Sequence, residues 1–342
     1  MKKRFLSLLC VMALCLSLLP ATALAAAPPV NQVLYVGGVL ISSTGYWTTS
    51  EDGKTLTSVT SVTESNNYIH YDAEDNILTL HNATIKKSVS MDTSTLIAGA
   101  AIGVLNQNGE AKLTITLEGA NTIAEVGKGI NVLANSTGGA TLTITGDGSL
   151  NASASQTGIW VQSNSKNAAL CVENAEVTAS SGVAFKNGVL VQAKDGSDVS
   201  LTVNGGSLTA SVNANIWFQF GSGASGSGTP TVTVSNNAIV RANGGIANNS
   251  STSIQYGTGN KENGGIVWNG TGGTVYGNVT LQESLTINEG ETLTIPDDSS
   301  LNSNGKLTNN GKIIVDNGAS WREPSKAISR RRSPPRACPK AR

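Results

Sequence analysis

The sequence predicts an all-β protein, specifically a right-handed parallel β-helix in which one chain winds into a solenoid behind an N-terminal β cap. Three observations carry this expectation. Short bursts recur as "LTIT" at Leu113, "LTIT" at Leu142, "LCVE" at Leu170, "LTVN" at Leu201 and "VTVS" at Val232, with starts 29, 28, 31 and 31 residues apart. Within each burst the first and third residues are apolar and the second is Thr or Cys, which puts one face of a strand inward and the other outward. Between bursts lie "HNA", "GDG", "ENA", "NGG" and "SNN", whose Asn and Gly accept the positive φ of tight corners. A unit of about thirty residues cannot bury a core alone, so the units must stack. A β-sandwich is the competing architecture, but it does not require strand, corner and strand to recur in register.

Taken in order, residues 1–25 read as a signal peptide. Lys2, Lys3 and Arg4 precede an apolar run from Phe5 to Leu19, and Ala23-Leu24-Ala25 supplies small residues for cleavage. The run is short for a membrane span. Secretion and a mature chain from about Ala26 follow, with no membrane insertion after the signal is removed. Residues 26–77 form the cap region; "YIHYDAEDNILTLHNATI" reads as a hairpin turned between Asp72 and Asn76. Its role is to cover the first coil, whose edge would otherwise be unpaired.

Residues 78–278 carry the coils of about thirty residues. A second apolar position follows each burst start by seven or eight residues, at Ile85, Leu150, Val177, Leu208 and Ile239. A further strand follows as "GINV", "GIWV", "GVAF" or "NIWF". Residues 279–321 keep the alternation on a tighter spacing and read as shorter coils of the same solenoid. Residues 322–342, with eight Lys or Arg and one acid among Pro and Ser, read as a disordered basic tail whose abrupt onset points to a frame or gene-model artefact.

Charge and cysteine narrow the function. The chain has 23 basic and 23 acidic residues, but removing the three bases of the signal and the eight bases and one acid of the tail leaves 12 basic and 22 acidic residues between Ala26 and Trp321. Such a body repels nucleic acid and anionic membranes. Cys10 and Cys15 leave with the signal, and Cys171 and Cys338 lie in regions of different character, so no disulfide is expected.

The opening "YVGG", "GYW", "YD" and "NILTLHNATI", followed by Gly/Asn/Thr-rich coils, resembles secreted surface proteins of Clostridia-like and other Gram-positive gut bacteria. The coils, over about residues 33 to 321, are similar to calcium-associated, polysaccharide-binding β-helix proteins described as carbohydrate-binding domain-containing. The resemblance implies a parallel β-helix, a cell-surface setting and a glycan ligand. It implies no particular calcium-binding residue here.

Catalysis of glycan cleavage needs two placed carboxyls, or clustered carboxylates with a strong base. Arg241 is the only arginine between Ala26 and Trp321. The outward columns expected on the first strand are Thr79, Thr114, Thr143, Cys171, Thr202 and Thr233, then His81, Thr116, Thr145, Glu173, Asn204 and Ser235, with a single acid between them. A non-catalytic protein is therefore expected, with catalytic residues none and a pectate-lyase-like enzyme as the weaker alternative. The Thr column is the ordinary preference of β-branched residues for ladders rather than an ice-binding array. His70 and His81 suit a surface role better than zinc, which would need more ligands. Calcium could use "DAED" at 72–75, "DGSD" at 195–198 or "DD" at 297–298, though each reads more simply as a solvated turn, and no cofactor is required.

The sharpest feature is the pair "GIWVQ" at 158–162 and "IWFQ" at 216–219. If Ile159 and Val161 face the core, Trp160 and Gln162 face outward, and Trp217 and Gln219 do likewise. Two coils separate them, about 9.6 Å at ~4.8 Å per coil. The coil between is expected to present Ala184 and Lys186. A sugar ring can stack on an indole while flanking amides bond its hydroxyls. The ligand-binding residues expected are thus Trp160, Gln162, Lys186, Trp217 and Gln219, on a monomeric protein whose partner is a polysaccharide or host glycan. The alternative from another class is a structural adhesin or stalk that has no ligand of its own.

Overall fold

A computed structural model describes residues 31–63, 67–91, 95–182, 187–211, 215–221 and 226–323. Residues 1–25, read as a signal peptide from the sequence, with Cys10 and Cys15, and the tail beyond Glu323, with Cys338, lie outside the described residues. All regular elements described are strands. They stack as the coils of a parallel β-helix, and the repeat period explains how: strands about thirty residues apart pair in parallel, each over its equivalent in the coil before.

One sheet carries the bursts. Ile77–His81, Ala111–Glu118, Ala140–Gly146, Ala168–Glu173, Val199–Asn204, Pro230–Ser235 and Gln255–Thr258 run side by side. Their inward residues form continuous columns: Leu113, Leu142, Leu170, Leu201 and Val232, then Ile115, Ile144, Val172, Val203 and Val234, all at most 2% exposed. Burying each such side chain contributes roughly 1.5–3 kcal/mol. The other sheet holds the remaining two strands of each coil. In two coils these fuse into the bent 15-residue strands Ala120–Ala134 and Ser149–Ser163.

The corners are built from the residues that tolerate them. Asn82, Asn174, Asn236 and Asn237 all have positive φ, between 49° and 62°. Where Gly205 and Gly206 replace Asn, close approach adds to the demand for positive φ, since a Cβ on Gly206 would lie 2.3 Å from the carbonyl oxygen of Ala175.

The cap covers the first coil. Tyr68–Asp72 and Ile77–His81 form an antiparallel hairpin, Gly45–Thr49 and Leu56–Val59 extend it, and Gln32–Val36 pairs antiparallel with Ala100–Asn106 of the other sheet. Its register on the coils differs from the expectation by two residues. Thr79 lies beside Thr116, not Thr114, and His81 lies beside Glu118. This slip lets Leu78 and Leu80 pair with Ile115 and Leu117, and an even slip leaves inward residues inward.

A second departure is odd and so has the opposite effect. Leu208 pairs with Val240 rather than Ile239, because the corner before Ala238–Ala242 holds one extra residue, with both Asn236 and Asn237 at positive φ. Val240 is fully buried in the main core, while Ile239 and Arg241 turn outward. Ile239 is nevertheless covered. At Gly265–Asn269 the chain turns back through an antiparallel pairing with Gly272–Tyr276, and coils of 20 to 22 residues follow. These short coils enclose their own core, in which Ile266, Trp268, Val275, Leu293 and Leu301 are buried and against which Ile239 packs.

Leu170 stacks between Leu142 and Leu201 in the column and is fully buried. Leu170→Ala should cost about 2–5 kcal/mol, to be read from urea unfolding; a loss below 1 kcal/mol would contradict a continuous stacked core.

Candidate functional site

Three outward arrangements bring polar and aromatic side chains together, and the first is the one built on the tryptophans. Ile159 and Val161 are fully buried and stack on Val189 and Val191, which stack in turn on Ile216 and Phe218. Alternation therefore turns Trp160, Gln162, Trp217 and Gln219 to the outer face, where all four are half-buried.

The rung between them is not the one expected. Lys186 and Ala184 lie outside the described residues, and the strand that pairs with both tryptophan strands is Asn187–Ala193. It places Leu190 between Trp160 and Trp217, and Gln192 between Gln162 and Gln219. The physical reason is the inward pair: Val189 and Val191 fill the core column, so residues 183–186 precede the strand. The signal was present in the sequence, since "GVLVQ" at 188–192 has the same pattern as "GIWVQ".

The column thus runs Asn131, Trp160, Leu190, Trp217, Ala247, with three glutamines aligned beside its middle. Below it, Leu105 and Leu133 are buried under Ile97, Val33 and Tyr35, so the cap region closes the lower end. Amides also continue around the corner. Asn135 donates to Gln107 at 2.6 Å, Asn164 donates to Asn135 at 3.1 Å, and Gln162 donates to Asn164 at 2.7 Å, giving a chain of side-chain amides across three coils.

Trp160 is more enclosed than a bare platform. The Lys128 ammonium sits 4.9 Å from its ring centroid and donates to the Ala98 carbonyl oxygen at 3.3 Å, and burial pushes the ammonium pKa down. Trp160 Nε1 and Asn131 Oδ1, a donor and an acceptor on neighbouring rungs, are both buried without a hydrogen-bond partner. Each such group costs about 1–3 kcal/mol.

A second arrangement lies where the short coils meet the main body. The outward Arg241 stacks on Trp268, 4.3 Å from guanidinium carbon to ring centroid, and Nη1 donates to Glu291 Oε1 at 2.6 Å. Nη2 donates to the Thr286 carbonyl oxygen at 3.2 Å. The other Glu291 oxygen accepts from the Asn288 backbone and side-chain nitrogens at 2.8 and 3.2 Å. These groups floor an open cleft of about 480 Å3. Glu291 is fifty residues from Arg241, and no local spacing announces the pair.

The third is a stripe on the cap face. Tyr46 stacks on His70 at 4.2 Å and Tyr68 on His81 at 4.7 Å, while Tyr68 Oη donates to Glu118 at 3.0 Å. His81 Nδ1 is 3.1 Å from Glu118, and Asn82 donates to His81 Nε2 at 3.0 Å. Both histidines thus pack face to face with a tyrosine on a sheet surface.

The carboxylates proposed as calcium donors have turn work. Asp72 accepts from the Glu74 and Asp75 backbone, Asp195 from Ser227 and Asp198 from Thr229. Backbone and hydroxyl donors at Ser227 hold the Asp195 carboxyl below its usual range. Among the described residues, no three His, Cys, Asp or Glu side chains cluster as a metal would need. Cys171 is a half-buried free thiol in the Thr column, its pKa raised by burial and by Glu173.

The fold brings one pair of carboxyls together that the sequence does not. Glu283, in the short coils, lies beside Glu176 of the main body. Burial first, then the Glu176 charge, pushes the Glu283 pKa up. An acid whose pKa is raised on folding binds its proton more tightly in the native state, so stability falls as pH rises from 4.5 through the raised value. Glu283→Gln should flatten that fall, and melting temperatures from pH 4 to pH 8 will check it; parallel curves for the two proteins would refute the raised pKa.

No protein-family model, no curated protein and no solved structure matches this chain.

Proposed function

We propose that this chain is a secreted or cell-surface, non-catalytic β-helix that binds a polysaccharide or host glycan. The observation that carries the proposal is the register of Trp160, Leu190 and Trp217 beside Gln162, Gln192 and Gln219. Successive rungs lie about 4.8 Å apart, so the rings are about 9.6 Å apart, a spacing suited to alternate sugars of an extended chain. Each amide offers both donor and acceptor to ring hydroxyls. The orphaned Trp160 Nε1 and Asn131 Oδ1 support the same reading, since one hydroxyl can accept from the first and donate to the second.

In this mechanism the Lys128 side chain swings from the indole face as the sugar stacks, exchanging a cation–π contact for a CH–π one. Trp217 and Leu190 continue the apolar floor, and the glutamines fix the rotation of each sugar. The signal-like residues 1–25 and the acidic balance of the body agree with an extracellular setting. A stalk without its own ligand is the second reading, and Lys128 seated on Trp160 is the observation on its side.

A glycan array separates these readings. Wild-type protein should bind an extended glycan, and Trp160→Ala with Trp217→Ala should weaken binding at least about fivefold, given stacking worth about 0.5–1.5 kcal/mol per ring. Absence of binding by wild-type protein would favour the stalk. Unsaturated product released from pectin would overturn the non-catalytic assignment.

A further inference from the structure

The cleft between the main body and the short coils is a second site, on a different face from the tryptophan column. We propose that it binds a neutral saccharide, and that it does so independently of Trp160 and Trp217.

The floor is preorganised. Arg241 is held by Glu291, by the Thr286 carbonyl and by the Trp268 ring, and Glu291 is held in turn by Asn288. Arg241 and Glu291 are only 16% and 12% exposed, so both charges are largely shielded from water and neither swings freely. The guanidinium has five N–H donors, and its bonds to Glu291 and Thr286 use two of them. Above this floor the walls are polar and exposed, with Asn243 and Thr271 from the main body facing Ser284 and Thr286 from the short coils. Leu285 is the one apolar side chain of the lining.

Charge selects the ligand class. A carboxylate or phosphate would be repelled by Glu291, which already neutralises the guanidinium at 2.6 Å, and a cation would be repelled by the guanidinium itself. A ligand with hydroxyls and no net charge meets amides, hydroxyls and spare guanidinium donors without breaking the pair. The volume of about 480 Å3 lies within the ~300–1,000 Å3 of small-ligand sites. The turn at Gly270 and Thr271 contributes to the lining, and a volume of this size suits a short oligosaccharide.

The test uses the full chain carrying Trp160→Ala and Trp217→Ala, so that the column cannot contribute. An array of neutral and anionic oligosaccharides is screened, and hits are titrated by calorimetry with Asn243→Ala or Thr271→Trp added. Neither added substitution touches the Arg241–Glu291 pair, and melting temperatures confirm folding. The proposal expects saturable binding of neutral oligosaccharides, weakened at least fivefold by Asn243→Ala and abolished by Thr271→Trp. It is overturned if nothing binds the column-less protein, if only anionic sugars bind, or if binding survives both added substitutions. Loss of all binding with the tryptophans would leave the column as the sole site, whereas binding here with none at the column would sink the earlier proposal and keep this one.

Discussion

An inward aliphatic side chain of one coil must sit over an inward aliphatic of the coil beneath, because neighbouring strands leave only about 4.8 Å between rungs and no room for water. Strand alternation makes this a condition on parity as well as on residue type. A strand can slide by two residues and keep its core, as Ile77–His81 does on Ala111–Glu118. It cannot slide by one unless something else covers the apolar residues that are turned out.

An odd step occurs before Ala238–Ala242, and the fold holds the means to support it. The double-asparagine corner at Asn236 and Asn237 shifts the following strand, which exposes Ile239 and Arg241 on the outer face. The chain then doubles back and lays a second core over that face, burying Trp268 against Arg241. Gly273, paired with Trp268, makes the return possible, since a Cβ there would lie 2.7 Å from the indole. The half-buried Ile239 and the charged pair beside it are thus products of the same corner.

Much of this was legible in the sequence, and the limits have physical causes. The stacked bursts, the Asn and Gly corners, the hairpin at Asp72 to Asn76 and the outward tryptophans follow from period and alternation, which are local properties. Leu190 and Gln192 were not legible as the rung between the tryptophans because "GVAF" and "GVLV" both satisfy alternation, and only the place of Val189 and Val191 in the core column singles out the second. Ile239 misled because apolar character alone does not say which of two cores a residue serves. Glu291 with Arg241, and Glu283 with Glu176, were invisible because the reversal at Gly272 brings together segments with no shared period.

The antiparallel turn at Gly265–Asn269 also fixes how the molecule can be lengthened. Coils inserted between Trp217 and Arg241 would raise the cleft as a rigid unit, about 4.8 Å for each, because Arg241 and the groups that hold it, Trp268, Thr286 and Glu291, all follow that point in the chain. The tryptophan column would stay with the coils that carry it. The solenoid therefore acts as a ruler graduated in whole coils, with the distance between its two polar faces set by repeat number and not by any side chain.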